Sequence, residues 1–276
     1  MENINLLRRA KRLLRLYGFS PKKRLGQHFV VNSDILQRLV SCASLTEDDV
    51  VLEVGAGLGF LTQLLSSKCK KVVAVEVDSK IVKILKAQLP DMPNVDLIEG
   101  DALKVSLPPF NKVVSAPPYS ISSPLLFRLL ERKFDWAVLI LQKEFAERLA
   151  ASVGSKDYGR LTVTIYYRAD VELLDYVPRT MFYPPPNVDS MMVLLKPRDA
   201  PFHVEDEVTF FEVVRILFTQ RNKKVRNSLI PFLRKRGITG KEALKLADSM
   251  VYSEKRVREL APEDFGILAN ELRKSC

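Results

Sequence analysis

Sulfur, imidazole and indole are scarce in this chain, which holds three cysteines, two histidines and one tryptophan in 276 residues. Cys42, Cys69 and Cys276 are odd in number and show no paired spacing, which argues against a disulfide framework and against a zinc site. No metal is therefore expected. No apolar run approaches the roughly twenty residues that a spanning helix needs, and the start lacks the apolar core of a secretory signal. The expectation is a cytoplasmic, monomeric protein without membrane contact. Acidic residues are absent from one long stretch: residues 213–241 hold nine Lys or Arg and no Asp or Glu. Residues 1–24 are almost as one-sided, with eight basic residues against Glu2. Because the net charge is only +10, the rest of the chain is net acidic. A positive field concentrated in two segments suits a polyanion such as nucleic acid better than a uniformly basic surface does.

What is present is ordinary globular composition, 47% apolar and 28% charged, at a length that favours two domains. Leu6, Ala10, Leu13, Leu14 and Tyr17 recur at helical spacing with basic residues between them, giving a basic amphipathic helix that Gly18 ends. A second helix starts at Asn32 or Ser33. Strand and helix then alternate, with strands over 50–54, 71–77, 95–99, 112–115 and 137–141 and further strands over 163–167, 171–176 and 191–195. Such alternation predicts an α/β fold with a mostly parallel sheet covered by helices. Past Lys196-Pro197-Arg198 no strand is evident and helical patterns dominate. The expected division is residues 1–198 as a Rossmann-like domain and 199–276 as a small all-helical domain.

The string Glu53-Val54-Gly55-Ala56-Gly57-Leu58-Gly59 follows a strand and opens a helix, the context in which a glycine-rich turn binds a cofactor. Gly55 and Gly57 permit the tight turn and close backbone approach that a ligand requires. Glu76 ends the next strand, where its carboxylate can hold both ribose hydroxyls. Asp101 ends the third strand, within reach of an adenine amine. Nicotinamide, flavin and S-adenosylmethionine binders all use such a turn, so these residues alone leave the cofactor open. The loop Ala116-Pro117-Pro118-Tyr119 ends the fourth strand beside them. Its prolines stiffen the chain and its tyrosine can stack on a base. An adenosine cofactor next to a base-binding loop points to methyl transfer onto a nucleobase.

Further strings run in a consistent order: Arg24-Leu25-Gly26-Gln27-His28-Phe29, Gly100-Asp101-Ala102, Leu141-Gln142-Lys143-Glu144, Tyr158-Gly159-Arg160-Leu161, Phe182-Tyr183-Pro184-Pro185-Pro186-Asn187-Val188-Asp189-Ser190, and Phe218-Thr219-Gln220-Arg221 followed by Val225-Arg226-Asn227-Ser228-Leu229. With these, the chain resembles the KsgA family of small-subunit ribosomal RNA adenine dimethyltransferases, and also the erythromycin-resistance rRNA methylases. The resemblance implies S-adenosyl-L-methionine as cofactor and N6,N6-dimethylation of two adjacent adenines near the 3′ end of small-subunit rRNA. The partner it implies is the immature small subunit. By position, Gln27, His28 and Val30 flank the cofactor, Gly55 approaches its methionine part, Glu76 holds ribose and Asp101 reads adenine. Tyr119 and Phe182 sandwich the target base, and Pro117 offers a backbone carbonyl to its amine. Arg221, Lys223, Lys224 and Arg226 are the expected RNA contacts.

The departure is Ala116, which stands where the family motif has Asn and so removes a side-chain acceptor for the target amine. Ser115 and Ser120 are the nearby hydroxyls available to replace it. An alternative function follows: an assembly factor that binds RNA and cofactor but methylates poorly.

Overall fold

The computed structural model describes residues 5–22 and 25–275; Glu2, Lys23, Arg24 and Cys276 lie outside the described residues. Packing divides the chain into two compact units, Met1–Ala146 with Val171–Pro197, and Glu147–Asp170 with Arg198–Cys276. One seam lies between Pro197 and Arg198. The other differs from expectation, because residues 147–170 leave the first range and join the helical unit.

In the first unit, α1 (Leu6–Leu16) is capped by Asn5, whose side chain accepts a hydrogen bond from Arg8 N at 3.0 Å. Its stripe of Ala10, Leu13 and Leu14 is buried in the main core. Helix α2 (Ser33–Cys42) is capped in the same way by Asn32. The central sheet has seven strands in the order β4 (Val95–Glu99), β3 (Lys71–Glu76), β2 (Val50–Val54), β5 (Lys112–Ser115), β6 (Trp136–Gln142), β9 (Ser190–Pro197) and β7 (Ala169–Val177). The first five run parallel and β9 pairs antiparallel to β6. Val51, Leu52, Val72, Val73, Val113 and Val114 are wholly buried, the continuous apolar pattern of parallel strands covered on both faces.

Three more helices in this unit are α3 (Phe60–Ser66), α4 (Ser79–Gln88) and α5 (Ser122–Leu130). The chain winds outward from β2 to β3 and β4, then returns across the sheet to β5. That reversal opens a crevice at the carboxyl ends of β2 and β5, where ligands of open α/β sheets bind. At the opposite end of the same strands, Lys112 and Asp49 form a buried ion pair at 2.8 Å. Burial opposes ionisation of Asp49, but hydrogen bonds from Lys112, Asn111 and Thr46 outweigh it and hold the carboxyl below its usual range. A separate ribbon joins β1 (Phe29–Val30) to β8 (Phe182–Tyr183), with Phe29 opposite Tyr183 and Val30 opposite Phe182. The fold is Rossmann-like.

The second unit is helical. Its helices α7 (Arg160–Arg168), α8 (Glu207–Leu217), α9 (Val225–Lys235), α10 (Gly240–Ser249) and α11 (Pro262–Ser275) pack around Tyr158, Phe210, Phe232 and Phe265. Helix α6 (Lys143–Leu149) ends just inside it. The expected strand over 163–167 is therefore a correction: those residues lie in α7. Leu161, Val163, Ile165 and Tyr167 are all buried there, so their apolar run reflects a helix enclosed by its neighbours and not an alternating strand. A short apolar run carries no period by which the two are told apart.

Candidate active site

The glycine turn joins β2 to α3. Gly55 N donates to Val75 O at 2.8 Å, which holds the turn over the end of β3. Gly55 and Gly57 have φ of 79° and 57°. A Cβ on Gly55 would lie 3.0 Å from Pro118 Cδ, and one on Gly57 would lie 3.0 Å from the Phe29 ring. Both the backbone angle and the space thus demand glycine.

Glu76 sits beneath this turn with its two oxygens divided. Oε2 accepts from Gly57 N at 3.0 Å and Oε1 from Asp78 N at 2.9 Å. Burial raises its pKa, while the backbone N–H groups pull the other way. Asp101 is more open: Oδ1 accepts from Leu103 N at 2.9 Å, and Oδ2 lies 3.7 Å from Lys104 Nζ.

Three adjoining pockets, of about 520, 590 and 400 Å³, meet at Gly55. The first is bounded by Gln27, His28, Gly57, Glu76, Tyr119 and Phe182 together with Ala116 and Pro117. The second is bounded by Glu76, Asp101, Ala102, Pro118 and Ser120. The third is bounded by Val30, Glu53, Ala56, Phe60 and Ala116. All the residues expected at the cofactor and base sites therefore line one composite cleft at the end of the sheet.

Within it, His28 Nδ1 donates to the carbonyl of Pro184 at 2.8 Å, leaving Nε2 as the acceptor nitrogen. The His28 and Tyr119 rings lie 6.2 Å apart at 23°. Tyr119 Oη and Ser190 Oγ are hydrogen-bonded at 2.6 Å, which fixes the ring, and burial raises the phenol's pKa. Gln27 lines the cleft, but its amide is committed to the framework. Oε1 accepts from Lys22 N at 2.7 Å and Nε2 donates to Asp78 Oδ2 at 3.0 Å. Burial opposes ionisation of Asp78, yet the bonds from Lys22 and Gln27 prevail and keep it below the usual range.

Ser115 cannot stand in for the missing acceptor at position 116. Its hydroxyl is wholly buried, donating to Val54 O at 2.6 Å and accepting from Val54 N at 3.2 Å. Ser120 is exposed and faces the Asp101 pocket. Among the described residues, no donor meets the Pro117 carbonyl, whereas that of Pro118 accepts from Ile121 N at 3.1 Å.

One residue carries no role in the sequence reading. Glu53 is 1% exposed, lines the pocket beside Gly55 and Ala116, and its Oε2 has no hydrogen-bond partner. Burial pushes its carboxyl up to about 8 against the pull of the nearby Thr62 hydroxyl, with the Glu76 charge adding to the shift. The available signal was an acid inside the otherwise apolar strand Val50–Val54, since an isolated carboxylate is seldom buried without purpose.

The expected RNA contacts belong to the second unit, and none of them lines these pockets. Lys224 and Arg226 both reach Glu254 at 2.6 Å, and Arg226 lies 3.6 Å from Asp248. Arg221 donates to the carbonyls of Lys156 and Ser155, each at 2.8 Å. Lys223 is exposed and forms no ion pair among the described residues.

Comparison with known proteins agrees with this geometry. The family described as ribosomal RNA adenine dimethylase matches residues 18–274. A protein of Methanosarcina acetivorans named "probable ribosomal RNA small subunit methyltransferase A" is 46% identical over 248 residues, 89% of this chain and 91% of its own. The solved structure of a dimethyladenosine transferase from Plasmodium falciparum superposes with a TM-score of 0.80 at 31% identity, covering 90% of this chain and 98% of that one. The 23S rRNA methyltransferase ErmE gives 0.66 at 28%, covering 89% and 99%. With a family match over residues 18–274, nearly its whole length, this chain belongs to the ribosomal RNA adenine dimethylases.

Proposed function

We propose that the chain transfers methyl groups from S-adenosyl-L-methionine to N6 of two adjacent adenines near the 3′ end of small-subunit rRNA, acting on the immature small subunit. The observation that carries this reading is the close approach of Pro118 to Gly55, which joins the stiff base-binding loop to the cofactor turn in one cleft. The residues fit the cofactor. Gly55 lines all three pockets and Gly57 two of them, so the turn offers bare backbone to the cleft, and Glu53 offers an orphaned buried oxygen in the third. Glu76 would take the ribose through the lone pairs its two N–H bonds leave free, and Asp101 the adenine amine. When bound, the cofactor supplies an electrophilic methyl group.

The chain's own task is positioning. Adenine N6 is a weak nucleophile because its lone pair is delocalised into the ring. Tyr119 and Phe182 hold the base by stacking, with the Tyr119 ring fixed by Ser190. The Pro117 carbonyl accepts a hydrogen bond from N6–H and favours a pyramidal nitrogen, which is the electrostatic help such a reaction needs; the proton N6 loses on methylation passes to solvent. After the first transfer N6 keeps a single hydrogen, so the base shifts before the second.

The test is mass spectrometry of small-subunit rRNA from immature subunits incubated with this protein and cofactor. Two adjacent dimethyladenosines are expected; unmodified adenines in the presence of measured cofactor binding support the second reading, an assembly factor whose chemistry Ala116 has weakened. Cofactor binding is tested separately. Glu76→Ala should weaken it by about 1–3 kcal/mol, because two ribose hydroxyls lose a charged acceptor. Titration calorimetry giving equal affinity for both proteins would remove Glu76 from the site.

Arg221, Lys223, Lys224 and Arg226 remain proposed RNA contacts. Their acid partners are exposed, and exposed ion pairs are worth roughly 0–1 kcal/mol, so a phosphate can exchange for Glu254.

A further inference from the structure

Several basic side chains of the second unit are answered by its own acids. In the second unit Glu212 alone meets Arg215, Lys235 and Arg236, and Glu254 meets Lys224 and Arg226. Helix α1 is different. Arg8, Lys11, Arg12 and Arg15 fall at i, i+3, i+4 and i+7, on one face, and all four side chains are exposed. No Asp or Glu occurs from Asn5 to Lys22, and none of the four forms an ion pair among the described residues.

Apart from Lys11, which lies over the Tyr183 ring, this face makes no ion pair or ring contact among the described residues. The helix is held by its Asn5 cap, by buried Ala10, Leu13 and Leu14, and by Arg9, which donates to Gln88 Oε1 at 2.6 Å and lies over the Phe60 ring. Like charges three and four residues apart repel, so the outer stripe works against the helix that carries it. Burial, then the nearby Arg12 charge, lowers the pKa of Arg9, a sign that the field is felt.

One member of the stripe adjoins the ribbon that walls the cleft. Lys11 Nζ lies 5.3 Å over the ring of Tyr183, which pairs with Phe29 in the β1–β8 ribbon. The same ribbon contributes Phe29 and Phe182 to the cleft wall. A basic amphipathic helix can also lie on an anionic membrane, but it does so by burying its apolar stripe, and here that stripe is already inside the protein core.

We propose that Arg8, Lys11, Arg12 and Arg15 form a docking surface for the sugar–phosphate backbone of the RNA strand whose base enters the cleft. The inference rests on the rRNA substrate proposed above. A strand that inserts a base beside Phe182 carries its flanking phosphates past the β1–β8 ribbon, which Lys11 adjoins. Its four charges, none in an ion pair among the described residues, release counterions on contact, and Lys11 exchanges its place over the Tyr183 ring in doing so.

The test compares wild type with the R8Q/K11Q/R12Q/R15Q variant, glutamine being a good helix former. The probe is a fluorescently labelled RNA of the 3′-terminal small-subunit stem-loop, titrated from low to high salt. The slope of log affinity against log salt should become shallower by about 3, at about 0.7–0.9 per lost phosphate contact. Cofactor binding by calorimetry and helix content should stay as in wild type, and thermal stability should hold or rise. The R8K/R12K/R15K variant should keep the wild-type slope, since a point charge suffices for a phosphate. An unchanged slope in the glutamine variant overturns the inference. So does an equal loss of binding to phosphatidylserine vesicles, which makes the face a general anion surface. Wild type that binds cofactor but no RNA at any salt overturns the functional reading and this inference with it.

Discussion

Replacing Ala116 by Asn raises single-turnover methylation of small-subunit rRNA by about 10- to 10³-fold at saturating cofactor, the range for restoring one preorganised hydrogen-bond partner. Ala116 lines both the pocket with Tyr119 and Phe182 and the pocket beside Gly55, so under the proposed function an amide there adjoins the target amine. No neighbour already does this work. Ser115 is tied on both sides to Val54, and Ser120 faces the Asp101 pocket. The gain appears in the rate and not in cofactor affinity, because the amide meets the nitrogen as it pyramidalises. Equal rates for the two proteins on immature subunits would mean that the Pro117 carbonyl is sufficient alone.

Glu53→Gln stabilises the cofactor-free protein at alkaline pH and leaves it nearly unchanged in acid. Glu53 is buried with one oxygen unpartnered, and its carboxyl titrates near 8 in the fold against an ordinary 4.5. A group whose folded pKa is raised contributes its stability below the unfolded value, and that contribution drains away as pH rises through the folded one. The loss therefore runs from about pH 4.5 to about pH 8. Converted at about 1.4 kcal/mol per pH unit, the full difference is on the order of 3–5 kcal/mol. Glutamine has nothing to ionise. Urea unfolding of both proteins at pH 5, 7 and 9 should show a gap that widens with pH. A gap of constant size would place the Glu53 charge in contact with solvent or a hidden partner.

The two residues illustrate opposite limits of reading a sequence. Ala116 was visible at once, because a four-residue loop carries its chemistry locally and one changed side chain stands out. Glu53 was printed in the same glycine string and went without a role, because its meaning lies in burial and in an empty lone pair. The strand over 163–167 failed for a related reason. Buried Val163, Ile165 and Tyr167 have a similar apolar signature whether enclosed by helices or by a sheet.

By itself the sequence determined the Rossmann-like sheet, the glycine turn, and the order of acids at successive strand ends. These depend on backbone preference and on period, which neighbouring residues encode together. Only the tertiary structure decided which charges are free. The acid-free stretch 213–241 looked like the stronger RNA surface, yet Glu254, Asp248 and Glu212 reach it from elsewhere in the chain and the fold. The shorter basic helix α1 meets no acid at all among the described residues. A net count along the chain sums charge within a segment, whereas the field a phosphate feels depends on partners that folding brings from far away.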